Sequence, residues 1–229
     1  MAALGLEYVG GASATSFIPR APSVLIDRAS VAIEGTVVSV DFEVVTHDDG
    51  ERQARTHYHL QVSDSLLGGV TSGELRLALP GGPIGDLWVD VSGVPRIEVG
   101  DTLLVLGTRK PDDTVRLTGW TQMIFIQRDG AAGPIAVDSE DNAVGGLDCG
   151  KAAWVVLPLS DAPSAIYDGP AMSPEEAVSL PGGPVFVDGD PADWAMGWDD
   201  LVASYRACVE ASANAGVVLA GRADQEVLP

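Results

Sequence analysis

The stretch that decides the fold of this chain lies within residues 73–129, and its core is residues 75–106, LRLALPGGPIGDLWVDVSGVPRIEVGDTLLVL. Leucines at 75, 77 and 79 alternate with other residues, which is the period of a strand with one buried face. The Pro-Gly-Gly-Pro turn at 80–83 ends that strand, and a Val-Gly-Asp turn at 99–101 leads into another. The succession of strands and turns predicts a mainly β fold.

The flanking sequence extends this pattern in both directions. Residues 31–45 are rich in β-branched side chains and predict a long first strand, which the turn signal Asp48-Asp-Gly-Glu51 joins to a returning strand at 54–62. Further strands are predicted at 101–108 and 114–126. Five or six strands in about 100 residues, the first of them long and coiled, suit a small closed β-barrel at 23–129.

The long first strand changes the phase of its alternation. Ile33 and Val37 occupy odd positions, whereas Val38, Val40 and Phe42 occupy even ones. A β-bulge inserts one extra residue into a strand and so shifts the inward-facing side chains by one position. We therefore predict a bulge or sharp coil in this strand, close to Gly35.

Beyond Asp129 the composition changes, and Gly130-Ala-Ala-Gly-Pro134 suggests a boundary. The remainder, 130–229, is predicted to be a smaller, acidic, mixed α/β extension with a strand at 152–158 and a short helix opening at the capping box Ser173-Pro-Glu-Glu176. An amphipathic helix is predicted at 198–213, with Gly216 as its stop, and docks this extension on the barrel. Its apolar residues recur at helical spacing: Trp198, Leu201, Val202, Tyr205, Cys208 and Val209.

The charge balance excludes one large class of partner. The chain has 13 Lys and Arg against 33 Asp and Glu, a formal net charge of −20. Nucleic-acid binding depends on cations that neutralise phosphates, so a polyanion would be repelled, and an anionic membrane surface is disfavoured for the same reason. No apolar run approaches the roughly 18 residues that a membrane-spanning helix needs.

Two features indicate export from the cytoplasm. Ala12-Ser-Ala14 fits the small-x-small pattern of a signal-peptidase site, so residues 1–14 are interpreted as a signal-peptide remnant, with a disordered N-terminus as the alternative. Cys149 and Cys208 enclose 58 residues and in an oxidising compartment would form one disulfide; two buried free thiols are the alternative. The predicted location is secreted, periplasmic or cell-surface in a bacterium.

Three groups of residues are candidate metal sites. His57 and His59 lie on one outward strand face and could hold zinc or copper with His47 or Asp41 as a third ligand, or could simply decorate a solvated face.

Asp188, Asp190 and Asp193 lie in a Gly/Pro-containing acidic loop that could bind calcium or could cap the helix behind it. The acidic loop Asp138–Asn142 has the same two interpretations. We therefore predict no cofactor, with calcium in these acidic loops as the alternative.

Catalytic signatures are missing from the sequence. It contains no Gly-x-Ser-x-Gly elbow, no His-Glu-x-x-His and no Gly-x-x-x-x-Gly-Lys. We therefore predict that the protein is not an enzyme.

Residues 23–128 resemble an OB-fold-like domain of predicted secreted bacterial proteins of uncharacterised function. The residues that carry the resemblance are Ala14-Thr-Ser-Phe-Ile-Pro19, Ala29-x-x-x-Ile33-x-Gly-Thr-Val-Val-Ser39, Pro80-Gly-Gly82, Val91-x-Gly93-x-Pro95, Val99-Gly-Asp101 and Leu117-x-Gly119. The resemblance implies an OB-like barrel and transfers no catalytic residue. The barrel is also similar in outline to netrin-like inhibitor modules of metalloproteases, although the metal-chelating cysteine of those modules has no counterpart here.

These observations lead to one functional hypothesis and one alternative. The first is an exported, non-enzymatic binding or assembly module that engages a protein partner, or further copies of itself, through loops of the barrel. Such a module should expose an apolar patch larger than a few hundred Å². The alternative is a calcium-dependent hydrolase or protease-associated module.

Overall fold

The computed structural model describes residues 20–48, 50–70, 73–150, 154–158, 185–187 and 190–223. In these ranges the chain is mainly β, as predicted, with twelve strands and two α-helices. The strands are β1 (Val31–Thr46), β2 (Arg52–Leu67), β3 (Glu74–Pro80), β4 (Gly82–Ile84), β5 (Leu87–Val89), β6 (Thr102–Arg109), β7 (Thr114–Leu117), β8 (Ile124–Gly130), β9 (Gly133–Val137), β10 (Ala143–Gly146), β11 (Trp154–Pro158) and β12 (Val185–Val187). The helices are α1 (Pro22–Ile26) and α2 (Trp198–Ala223), and 3-10 turns occur at Trp120–Met123 and Pro191–Trp194.

Five strands form a ring, in the order β1, β2, β3, β7, β6 and back to β1. All of these neighbours are antiparallel except β3 and β7, which run parallel through only two residue pairs. The sheet does not end at the ring, because β8 pairs with β6 and is followed by β9, β10, β11 and β12. The predicted small barrel is therefore seen as a ring of strands inside a ten-stranded sheet. The predicted boundary at Gly130–Pro134 falls on the turn between β8 and β9, and the sheet continues across it.

Strand β1 contains the predicted change of phase. The register with β2 shifts at Ala32/Ile33, at Glu34/Gly35 and again between Val37 and Ser39. Val37 is buried, and Val40 packs against the same core after the last shift. Pairing with β6 stops at Thr36, so the distal half of the β1–β2 hairpin extends past the ring.

Two apolar cores share β6 as their common wall. Leu103 and Val105 point into the inner core, inside the ring, whereas Leu104 and Leu106 point into the outer core, between the sheet and the helices. The inner core comprises Val31, Ile33, Val37, Tyr58, Leu60, Val62, Val70, Leu75, Leu77, Leu79, Ile97, Leu103, Val105, Val115, Ile124, Ile126 and Val137. The outer core comprises Leu25, Ile26, Ala32, Leu104, Leu106, Met123, Phe125, Ala136, Val144, Trp198, Leu201, Tyr205, Cys208 and Val209.

The C-terminal helix is confirmed and is longer than predicted. α2 begins at Trp198, as the apolar periodicity indicates, and continues past Gly216 to Ala223. Five of the six residues of its predicted stripe are buried in the outer core, and Val202 is half-buried against it. The Trp198 indole donates a 2.7 Å hydrogen bond to Glu34 of β1. The predicted strand at 152–158 is observed as β11, while the helix predicted at Ser173 and residues 1–14 lie outside the described ranges.

Cys149 and Cys208 form a disulfide, with their Cα atoms 5.2 Å apart. Cys149 follows β10, and Cys208 is fully buried on α2. The bond therefore ties α2 to the segment that follows β10.

Replacing Leu104 with Ala should lower the free energy of unfolding by about 2 to 5 kcal/mol, because the side chain is fully buried in the outer core. Val99→Ala is the matched control, since Val99 is 62% exposed and its truncation should cost less than about 0.5 kcal/mol. Urea unfolding of the two variants measures the difference. Equal destabilisation would contradict the assignment of β6 as a strand that is buried on both faces.

Breaking the disulfide should cost about 4 kcal/mol of stability in the chain-entropy description of a loop of this length. Differential scanning calorimetry of the Cys149→Ala, Cys208→Ala double variant measures the loss. A reductant should then lower the melting temperature of the natural chain but leave that of the double variant unchanged. A reductant that has no effect on the natural chain would show that the bond does not form.

Candidate functional site

The turn after β3 brings two distant parts of the chain together. Gly81 and Gly82 have φ of +106° and +124°, which favour glycine. The Thr56 hydroxyl donates a 2.9 Å hydrogen bond to the Gly81 carbonyl, and a Cβ on Gly82 would lie 3.0 Å from that hydroxyl and 3.3 Å from Phe42. The β4–β5 hairpin is therefore held close to the distal half of the β1–β2 hairpin.

An open cleft of about 630 Å³, here called the aromatic cleft, lies between these two hairpins. Phe42 and Trp88 meet edge to face across it, with ring centroids 5.5 Å apart. The cleft is lined by Val40, Phe42, Thr56, Tyr58, Pro80, Gly81, Gly82, Trp88, Val89, Asp90, Val91, Ser92, Val94, Pro95, Arg96 and Ile97.

The two hairpins that flank the aromatic cleft expose several apolar side chains to solvent. Leu87 is 74% exposed and Trp88 60%, and both lie on the short strand β5. Phe42 and Val44 of β1 are also exposed, because the ring ends before their positions. Exposed apolar side chains clustered around a concavity mark a surface suited to binding another molecule.

Two polar groups lie in the lining of the aromatic cleft. The Trp88 indole donates a 3.1 Å hydrogen bond to Asp90, which orders the exposed ring. Tyr58 lies at the base of the cleft, where burial, reinforced by the charge of Asp101, raises the pKa of its hydroxyl. The phenol therefore stays neutral and offers a hydrogen-bonding group within the lining of the cleft.

The opposite face of the β1–β2–β3 sheet carries the predicted histidine pair. His59 places Nε2 2.6 Å from Asp41 of β1 and Nδ1 against Glu74 of β3, so that one ring bridges three strands. Only a protonated imidazole donates from both nitrogens. The hydrogen bond to Asp41, helped by Glu74, raises the pKa of His59, and the same bond lowers the pKa of Asp41.

His57 lies on the same strand but in different surroundings. Its side chain is buried, whereas the sequence places it on a solvated face, and the structure corrects that expectation. Nε2 lies 3.0 Å from Glu43, and Nδ1 has no partner in the described part of the chain. The rings of His57 and His59 thus contact separate carboxylates, and His47 takes part in the turn after β1 through its backbone.

The described residues contain no group of three or more His, Cys, Asp or Glu side chains arranged to hold a metal ion. Of the predicted calcium ligands, Asp190 caps the 3-10 turn at Pro191–Trp194 by accepting a 2.9 Å hydrogen bond from the Ala192 amide. Asp193 lies in the first turn of that helix, and Asp188 is outside the described residues. In the Asp138–Asn142 loop, the Asp138 carboxylate accepts hydrogen bonds from the backbone amides of Glu140 and Asn142.

Sequence reasoning missed the aromatic cleft. The alternation of the first strand predicts that Phe42 faces inward, and no pattern in the sequence singles out Trp88. The available signal was the length of the first strand, which exceeds what a small ring can cover.

Comparison with models of known protein families and with curated protein sequences gives no match to this chain. Among the described residues, no helix has the length and apolar character to cross a membrane.

The bridge at His59 predicts a measurable titration. NMR should show His59 titrating above the ordinary pKa of 6.5, and Asp41→Asn should lower that pKa. Glu43→Gln is the control, because Glu43 contacts His57 and not His59. A pKa of His59 that responds equally to both variants would contradict the assigned contacts.

The same bridge makes stability depend on pH. Because the pKa of His59 is raised, its contribution is complete below 6.5 and is lost as the pH rises through the raised value. Because the pKa of Asp41 is lowered, its contribution is present above 3.8 and is lost as the pH falls through the lowered value. Both groups are partly exposed. At pH values between 3.8 and 6.5, His59→Gln should therefore lower the free energy of unfolding by less than about 1 kcal/mol.

Proposed function

We propose that this chain is an exported, non-enzymatic binding module that engages a protein partner through the aromatic cleft. The observation that carries the proposal is the edge-to-face pair of Phe42 and Trp88, which stands exposed at the mouth of a concave surface. Aromatic side chains in such positions supply most of the binding energy in protein interfaces.

The expected occupant is an extended segment of the partner. Within the described residues, β5 pairs only with β4, and all three of its residues are exposed. A free strand edge accepts another strand through its backbone groups, while pockets beside it select side chains. One apolar side chain of the segment would then enter the cleft between Phe42 and Tyr58.

Two further observations support the location and the fold in this proposal. The Cys149–Cys208 disulfide supports an oxidising compartment outside the cytoplasm. The ring of five strands, closed by the pairing of β1 with β6, supports the OB-like interpretation, since the OB-fold is a partly open five-stranded barrel. The calcium-dependent alternative stays a prediction, and no described contact favours it.

Photocrosslinking in the native host tests the proposal. A benzoylphenylalanine at Leu87 should crosslink one defined protein, whereas the same group at Val24, an exposed apolar position on α1, should not. Crosslinking with equal efficiency from both positions, or from neither, would contradict the assignment of the aromatic cleft.

The captured protein then allows affinity to be measured. Trp88→Ala should weaken binding by about 2 kcal/mol, or roughly thirtyfold, because it removes a central aromatic contact. Val24→Ala is the control and should leave the dissociation constant unchanged. Unaltered melting temperatures of both variants would show that the loss comes from the contact and not from unfolding.

A further inference from the structure

A second cleft opens where β3 and β7 separate. These strands pair only at Arg76–Thr114 and Leu77–Val115, and beyond that point they diverge. The space between them is a cleft of about 640 Å³, here called the basic cleft. Leu79, Val94 and Leu117, which belong to or pack against the inner core, supply its apolar lining.

The charge of the basic cleft is opposite to that of the protein. Arg55, Lys110 and Arg116 line it, together with a single carboxylate, Asp112. That carboxylate is already neutralised, because its Oδ2 lies 3.1 Å from the Arg76 guanidinium. Three of the 13 cations of a chain with a net charge of −20 therefore meet in one concavity.

These three cations have no ionic partner in the described part of the chain. Arg55 donates only to the neutral amide of Gln53, at 3.2 Å, and Lys110 and Arg116 use their side chains in no ion pair or hydrogen bond there. Elsewhere, Arg109, Arg128 and Arg206 each contact a carboxylate. The three cations therefore exceed the one carboxylate of the cleft, which is paired with Arg76, and an anionic ligand would offset this local excess of positive charge.

We propose that the basic cleft is a binding site for a small organic anion, a carboxylate or phosphate carried on a partly apolar body. The guanidinium groups of Arg55 and Arg116 present the planar donor fork that matches both kinds of anion. Lys110 adds a third positive charge, and Leu79, Val94 and Leu117 contact the apolar body. The site is independent of the protein partner proposed for the aromatic cleft.

The test uses three aromatic probes that differ in charge. Phenyl phosphate and phenylacetate represent the two anions, and benzyl alcohol is the uncharged control. At physiological ionic strength, where long-range repulsion from the net charge is screened over about 8 Å, NMR titration should show saturable binding of one or both anions with shifts at Arg55, Lys110 and Arg116. Which anion binds more tightly distinguishes a carboxylate site from a phosphate site.

Two variants that each lose one positive charge, one inside the basic cleft and one outside it, test the position of the site. Arg116→Gln should weaken binding of the anion at least tenfold, since a hydrogen bond between charged groups is lost. Arg28→Gln removes one charge from an exposed arginine outside the cleft and should change affinity less than twofold.

Three results would overturn the proposal: equal loss in both variants, binding of benzyl alcohol as tight as that of the anions, or no saturation by either anion. Melting temperatures confirm that both variants are folded, which is expected because Arg28 and Arg116 are both exposed.

Discussion

The structure depends on the burial of β6 from both sides. Leu103, Leu104, Val105 and Leu106 are fully buried, and successive side chains enter opposite cores. β6 also pairs with β1, β7 and β8 along its length, which closes the ring and starts the outer part of the sheet. At Gly107 a Cβ would lie 2.5 Å from Val115 and 2.6 Å from the Arg116 carbonyl, so a side chain there would push β7 away and open the ring.

The candidate site follows from a mismatch in strand length. β1 has 16 residues, but its pairing with β6 ends at Thr36. Beyond that residue the β1–β2 hairpin has no opposite wall of the ring to cover its inner face. In a ring that covered this length, Phe42 and Val44 would be inner-core residues; without cover they are exposed. The β4–β5 hairpin lies over part of that face and leaves the remainder as the aromatic cleft. The apolar surface is therefore a continuation of the core beyond the ring.

Local patterns predicted well what depends on local forces. Alternation along the 54–62 strand sets Thr56, Tyr58 and Leu60 on the face opposite His59, and all three are buried. Helical periodicity predicts Trp198 and Leu201 in one stripe, and both are buried. The burial of His57 was not predicted, since it depends on neighbouring strands rather than on the alternation of β2 itself. The aromatic cleft was missed for the same reason: the Thr56–Gly81 hydrogen bond that sets it spans 25 residues. The helix was predicted to end at Gly216, but helix propensity is a weak prior that context overrides, and α2 continues through that glycine.

The two clefts share part of their lining, at the connection between β5 and β6 and at the end of β3. Ile97 and Val94 of this connection pack against the inner core at one end of the ring, and the backbone is tied there by hydrogen bonds between Val37 and Gly100 and between Val37 and Asp101. Space remains between this connection and the surrounding strands on both sides of Val94. Val94 and Pro80 consequently line both clefts, with the aromatic cleft on one side and the basic cleft on the other. Two chemically different concavities thus lie side by side, one with an exposed pair of aromatic rings and one with three cations that have no carboxylate partner among the described residues.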